Sequence, residues 1–426
     1  VVPGAAPAAP PAAAPEPAGT PWSGILSMRY RVRHGDGATD QDLVSRLGVD
    51  IGRGGFDPVS FHLRGRGFVN VDGQRDNDPF PGLDHSFGDD VHARLYAAHL
   101  DVTSLAPLAL VRVGRQNLDE TPVAFSFDGL RVDSQRFLGP TSAWVSAYGG
   151  VPVHHFEASS RGDSVYGAAF GFVPWALARV RFDWLQIRDD FLALDRRDDL
   201  ASVRWWQGLG PVRLHGLHTW RDGEPRDLVV TGLGAFDGIA DVRLSYRGLL
   251  STQRQQTTEL DPFWTIGFDQ RPFRQVEASV TRDVFRGVVV GVGADVRRLE
   301  DGGAEGAFNR EFERYFADVT WTDVGWQGLS ATIVGSLWES TGEALRTLTG
   351  ELQYRPDPSL RVVLGAGYDL FRFDVFDDRE RVHVRSYYLR ADHLLADGLR
   401  VDGGYELQRD DLDEFHLFRL GMTWTF

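Results

Sequence analysis

The sequence predicts an all-β fold: a transmembrane, antiparallel, up-and-down β-barrel of about 22 strands, with 18–20 inside the boundary error of the reading and no plug domain. Three observations carry this. Apolar and polar residues alternate with a period of two through nearly the whole chain after residue 22. The connectors between these runs alternate between short and long. Composition excludes the other way across a bilayer: hydrophobic content is 42%, mean hydropathy is −0.25, and no apolar run reaches the ~18 residues a spanning helix needs. A barrel tolerates such polarity because only every second residue must be apolar.

The first 20 residues, VVPGAAPAAPPAAAPEPAGT, hold too few large apolar groups to fold. Residues 1–21 are expected to be a disordered, extended Ala/Pro linker, and residues 22–426 the barrel. The opening segment has neither the charged start nor the continuous apolar core of a signal peptide, so the chain reads as a mature form.

Each run of about ten residues has the length of a tilted membrane-crossing strand. ILSMRYRVR (25–33) sets Leu26, Met28, Tyr30 and Val32 against Ser27, Arg29, Arg31 and Arg33. VSFHLRGRGFVN (59–70) sets Val59, Phe61, Leu63 and Val69 against His62, Arg64, Arg66 and Asn70. ALARVRFDW (176–184), RGVVVGVGADVR (286–297) and LRVDGGYELQ (399–408) repeat the pattern. Short connectors fall at 103–106, 174–175, 207–211, 323–327, 355–359 and 395–398. Longer ones fall at 72–90, 117–125, 188–198, 249–273 and 299–311. Among the 12 Trp, 11 Tyr and 27 Phe, most Trp lie near inferred strand ends, where an interfacial girdle belongs. A propeller would show a repeated blade signature, and none is found.

The final run, FHLFRLGMTWTF, puts Phe418, Leu420, Met422, Trp424 and Phe426 on one face and Arg419, Gly421, Thr423 and Thr425 on the other. It resembles the closing strand of bacterial outer-membrane β-barrels, whose last residue is typically Phe. That resemblance implies the outer membrane of a Gram-negative bacterium, contact with its lipids, and delivery to the barrel-assembly machinery with Phe426 as the assembly signal. The linker and short connectors would then be periplasmic. A local stretch, LVRVGRQNLDETPVAFSFDGLRV (110–132), resembles part of the alginate-export and related porin-like families through Gly114, Arg115, Gln116, Asp128 and Gly129.

If the apolar faces meet lipid, the polar faces line the lumen. Those faces carry recurrent Arg/Asp dyads two residues apart: Arg131/Asp133, Arg181/Asp183, Asp241/Arg243, Asp295/Arg297, Arg390/Asp392 and Arg400/Asp402. Neighbours at i and i+2 share a face, so each dyad is expected to pair within itself or across to the next strand. Further Arg at 64, 66, 112, 179, 204 and 419 gives the wall a basic bias, although the chain carries a net charge of −15. All 45 basic residues are Arg, a group that keeps its charge and binds carboxylate or phosphate through two bonds. The compensating acid lies in connectors such as QRDNDPFPGLDHSFGDD (74–90), which lacks the ordered spacing of a calcium loop.

Other classes fare worse. An acidic chain with pI near 5.2 is a poor nucleic-acid binder. The absence of Cys removes disulfides and thiolate metal sites. GGAEG (302–306) has no following helix to cradle phosphate. No cofactor is expected. His62, His99, His215 and His218 could serve an enzyme, but no Ser sits in a recognisable nucleophile motif. The expected function is a pore or export conduit passing polar or anionic solutes or polymer. Inward loops, with 249–273 the longest candidate, or a separate partner would narrow it. The alternative is a scaffold barrel that encloses or docks a periplasmic or lumen-filling protein: a lipoprotein, an exporter component or a multihaem cytochrome.

Overall fold

A computed structural model describes residues 21–35, 37–54, 57–73, 90–103, 105–154, 162–191, 194–252, 271–300, 311–340, 343–374 and 379–426. It contains 22 strands. The first eight are β1 (Trp22–Gly35), β2 (Ala38–Ile51), β3 (Val59–Asn70), β4 (Val91–Val102), β5 (Leu108–Leu118), β6 (Phe125–Ser134), β7 (Trp144–Pro152) and β8 (Ser164–Phe172). Next come β9 (Ala178–Phe191), β10 (Leu194–Leu209), β11 (Val212–Arg221), β12 (Glu224–Phe236), β13 (Ala240–Leu249), β14 (Phe273–Phe285) and β15 (Val288–Leu299). The chain closes with β16 (Phe312–Thr322), β17 (Leu329–Ser340), β18 (Glu343–Asp357), β19 (Leu360–Asp374), β20 (Arg379–Ala396), β21 (Leu399–Arg409) and β22 (Glu414–Thr425).

Each strand pairs antiparallel with its chain neighbours, and β1 pairs with β22 from Ile25–Thr425 to Gly35–Phe415. The sheet is therefore a cylinder without an edge. Closure is what a bilayer requires, because an unpaired backbone donor in hydrocarbon costs several kcal/mol. Phe426 locks the seam. Its carbonyl accepts from the Gly24 amide at 2.8 Å and its own amide donates to the Gly24 carbonyl at 3.0 Å. Its ring packs between Trp22 and Trp424, over the bare α-carbon of Gly24. Any side chain at Gly24 would collide with that ring.

The apolar face lies open rather than packed. Leu130, Phe182, Trp184, Leu244, Val292, Leu348, Leu389, Phe418 and Leu420 are all exposed. So large an apolar surface on a soluble monomer would drive aggregation; on a barrel it is the face lipid covers. Trp22, Trp175, Trp321, Trp326 and Trp424 are exposed together at the end that holds the chain termini.

Connectors at that end are all brief, from the two residues at 210–211 to the nine at 135–143. The extended ones, 71–90, 153–163, 250–272 and 300–311, all lie at the other end. A tight turn also occurs there, at 222–223. Several boundaries differ from the sequence reading, by a few residues at 207–211, 355–359 and 176–184 among others, and two show why. The expected connector 188–198 is paired strand, with Gln186 opposite Asp199 and Arg188 opposite Arg197. Its polar residues on both faces read as a loop, but a hairpin projecting beyond the membrane needs no apolar side. Arg286 and Gly287 form a turn, so the run 286–297 begins two residues late. The linker, residues 1–20, and most of 74–90, 249–273 and 302–306 lie outside the described residues.

Candidate functional site

Two sectors of the polar face contrast. In the first, spanning β5 to β10, the inner surface is partly apolar. Leu118, Phe125, Phe127, Tyr148, Val165, Leu185, Ile187 and Leu200 form a buried cluster, and Val123 packs against it. These residues share parity with Arg131, Asp183 and Arg204, so they are on the face opposite the exposed Leu130 and Trp184. The connector 119–124 folds over them. Thr121 turns it by donating to the Leu118 carbonyl at 3.2 Å, and Arg204 donates to the Thr121 carbonyl at 3.4 Å. This brings Glu120 to Arg181, with Arg179 at 3.9 Å. Arg181 also bonds Asp183 at 2.7 Å. Trp144 lies under the guanidinium groups of Arg181 and Arg179, at 5.2 Å and 5.9 Å, and Trp206 under Arg179 at 4.7 Å.

In the second sector, spanning β19 to β1, the wall is open. A recess of about 220 Å³ is lined by Arg29, Arg361, Arg390 and Arg419 together with Asp392, Asp402 and Glu406. Register explains the hollow. Arg390 and Arg419 both stand opposite Gly404, so a residue without a side chain separates two arginines on alternate strands. Arg419 then faces Arg31 across the seam. One row along, Asp402 and Arg29 both stand opposite Gly421, and the Asp402 carboxylate leans over that glycine. Arg361 bonds Asp392 at 2.9 Å, and Arg390 reaches Glu406 at 3.7 Å. Arg29 and Arg419 hold no carboxylate among the described residues.

The dyads behave less uniformly than their spacing suggests. Arg131/Asp133 and Arg181/Asp183 close on themselves. The others do not, because cross-strand neighbours are closer than i and i+2 on one strand. Arg243 turns to Glu277 at 3.6 Å, away from Asp241. Asp295 accepts from Gln275 at 2.9 Å, while Arg297 lies 3.7 Å over the Phe273 ring. Arg390 and Asp392 take separate partners, and Arg400 and Asp402 form no ion pair with each other among the described residues. Of the additional arginines, Arg64 bonds Asp50 at 2.6 Å and Arg112 grips Asp101 at 2.7 and 2.8 Å. Arg66 stands opposite Arg46 and Arg94. Sequence reasoning missed Asp50, Asp101, Glu120, Arg361 and Glu406. All except Glu120 sit on polar faces, where alternation places them; their pairing with particular arginines depends on the cross-strand register.

The histidines separate. His215 stacks on Trp206, and His218 bonds the Asp227 carbonyl at 2.9 Å. His62 and His99 stand opposite each other on β3 and β4, rings stacked at 4.9 Å. Nε2 of His62 lies 3.1 Å from the Ser60 hydroxyl and Nδ1 lies 2.6 Å from Asp50. That is the order of a hydrolytic relay, but Ser60 is 1% exposed and has no surface to offer a substrate carbonyl.

No family model matches the sequence, and no curated protein does. The likeness at 110–132 therefore stands on its own residues. Solved structures do match. The P pilus usher (PapC) translocation pore is 10% identical with a TM-score of 0.54, over 95% of this chain and 99% of that one. The siderophore receptor PirA from Pseudomonas aeruginosa is 11% identical with a TM-score of 0.57, over 96% and 81%. OccAB2 from Acinetobacter baumannii is 9% identical with a TM-score of 0.46, over 95% and 98%. At these identities the likeness is one of fold. The chain has the architecture of the Gram-negative outer-membrane β-barrels: a closed cylinder of 22 antiparallel strands with an apolar outer belt.

Proposed function

We propose that the chain is a passive outer-membrane pore whose polar face lines an aqueous lumen and favours anionic solutes. The observation that carries this reading is the recess between β19 and β1. Four arginines there meet three carboxylates, in a chain with a net charge of −15. Asp392 is already engaged by Arg361. The Arg390–Gly404–Arg419–Arg31 row sets like charges side by side, an arrangement that costs stability unless something neutralises it. Arg31 has Asp42; among the described residues Arg419 has no such partner. A carboxylate or phosphate seated over Gly404 would relieve the repulsion and accept charge-assisted bonds from both flanking guanidinium groups.

The test is ion conductance of the purified, folded chain in planar bilayers, with the reversal potential read under a KCl gradient. Anion preference is the expected result. A cation preference overturns the anionic part of the reading. A silent barrel that co-purifies with a second protein overturns the pore itself in favour of a scaffold.

A further inference from the structure

We propose that His62, His99 and Asp101 form a binding site for a transition-metal ion of the zinc type. The site lies on the polar face of β3 and β4, near the end of the barrel that holds the chain termini. It is independent of whether the barrel conducts.

The ligand atoms are already gathered. One atom from each residue lies within 4.8 Å of the others. His62 Nε2 is 3.7 Å from Asp101 Oδ2, and His99 Nε2 is 3.9 Å from Asp101 Oδ1. Two donors bound to zinc at about 2.1 Å each, at a tetrahedral angle, stand roughly 3.4 Å apart. The imidazole–carboxylate distances therefore need to close by only a few tenths of an ångström.

The second observation concerns the ring nitrogens that would not touch the metal. His62 Nδ1 is 2.6 Å from the Asp50 carboxylate, and His99 Nδ1 is 3.2 Å from the Arg115 carbonyl. Neither acceptor carries a proton, so each Nδ1 is the donor. Both rings are thereby fixed in the tautomer whose lone pair is on Nε2, toward Asp101. A metal-ligating histidine is held in just this way, by a carboxylate or a backbone carbonyl behind it. Asp50 is itself anchored by Arg64 at 2.6 Å. Ser60 donates to His62 Nε2 at 3.1 Å in the metal-free arrangement, and its hydroxyl rotates aside when the ion takes that lone pair.

Arg112 limits the choice of ion. It bonds both oxygens of Asp101, which leaves the carboxylate's remaining lone pairs for a metal. Its positive charge opposes hard cations that rely on carboxylate charge, such as Ca²⁺ or Mg²⁺. Two imidazoles and one carboxylate instead suit Zn²⁺, Cu²⁺ or Ni²⁺.

Zn²⁺ is the probe. The full chain, without a polyhistidine tag, is folded in detergent, stripped of metal and titrated with ZnCl₂ by calorimetry, with metal content read after gel filtration. One ion per chain is expected. His62→Gln combined with His99→Gln should abolish that uptake. Asp50→Asn, which removes no proposed ligand but alters the carboxylate behind His62, should weaken binding by about 10- to 100-fold at unchanged stoichiometry. His416→Gln, on a different wall segment, should leave binding unchanged. Circular dichroism confirms that each variant is folded. A folded wild-type chain that takes up no Zn²⁺ overturns the proposal, as does a double variant that binds with unaltered affinity.

Discussion

The wall at β5–β10 and the wall at β19–β1 are built from the same residue types on the same face of one sheet, yet they end in opposite states. Arg181 in the first has a side chain 5% exposed, held by Asp183 and Glu120 and backed by Trp144. Arg390 in the second is 49% exposed, with Glu406 at a loose 3.7 Å. Neither strand alternation nor dyad spacing distinguishes them. The difference comes from what lies over the wall and what lies between the arginines. In the first sector a connector folds inward over an apolar patch; in the second, Gly404 and Gly421 add no side chain of their own between the arginines. One sheet can thus carry a sector sealed by its own side chains and another left open.

If that division is right, stability should be lost mainly from the sealed sector. Phe127→Ala removes a fully buried ring from the inner cluster and should cost about 3–5 kcal/mol in denaturant unfolding from detergent. Arg419→Gln in the open sector should stay within about 0.5 kcal/mol. Equal losses would break the comparison. Charge deletion sharpens it. Asp183→Ala leaves buried Arg181 with Glu120 alone and should cost up to about 3 kcal/mol. Asp392→Asn, in a half-exposed pair with Arg361, should cost about 0–1 kcal/mol.

Selectivity should respond in the reverse pattern. Combining Arg390→Gln with Arg419→Gln removes two charges beside the recess. In water, one charge at about 7 Å is worth roughly 0.6 kcal/mol, or about a threefold change in ion occupancy. The reversal potential should therefore move clearly toward cations. Arg131→Gln, which removes a cation already bonded to Asp133 at 2.9 Å, a carboxylate that also accepts from the Ser146 hydroxyl at 2.5 Å, should move it little.

Most of this scaffold is legible in the sequence, because one face of every strand must satisfy lipid. The run 59–70 coincides with β3, and 399–408 lies within β21. The inward connector is not legible. DETPVA (119–124) reads as an ordinary polar turn, and nothing local says that Glu120 meets Arg181, 61 residues away. Parity puts Phe68, Phe125 and Phe127 on the polar face, but it does not foretell that they are buried there among neighbours that only the closed cylinder supplies. The candidate named for narrowing the lumen, 249–273, lies largely outside the described residues; the inward connector found is the shorter 119–124. Dyad partners escaped for a related reason: a strand's own spacing is visible in sequence, but its register with the next strand is fixed by turns and bulges. One such bulge, between Arg64 and Gly65 against β4, changes which cations face which acids.

The smallest effect expected is also the most discriminating. Gly404→Val puts a branched side chain into the gap between Arg390 and Arg419. Its Cβ would meet Arg390 Cγ at 3.3 Å, which a slight rotation of the arginine relieves, and the Leu389 carbonyl at 3.4 Å, an ordinary van der Waals contact. A glycine inside a strand costs roughly 0.5–1 kcal/mol relative to Ala, and valine suits a pleated surface, so the variant should be as stable as the parent or slightly more so. Every charge is kept. If the recess acts through the geometry of two guanidinium groups converging over bare backbone, anion preference should fall modestly without any change in wall charge. If preference is unchanged, selectivity follows summed charge alone, and the glycine floor is merely where two strands pack with little to separate them.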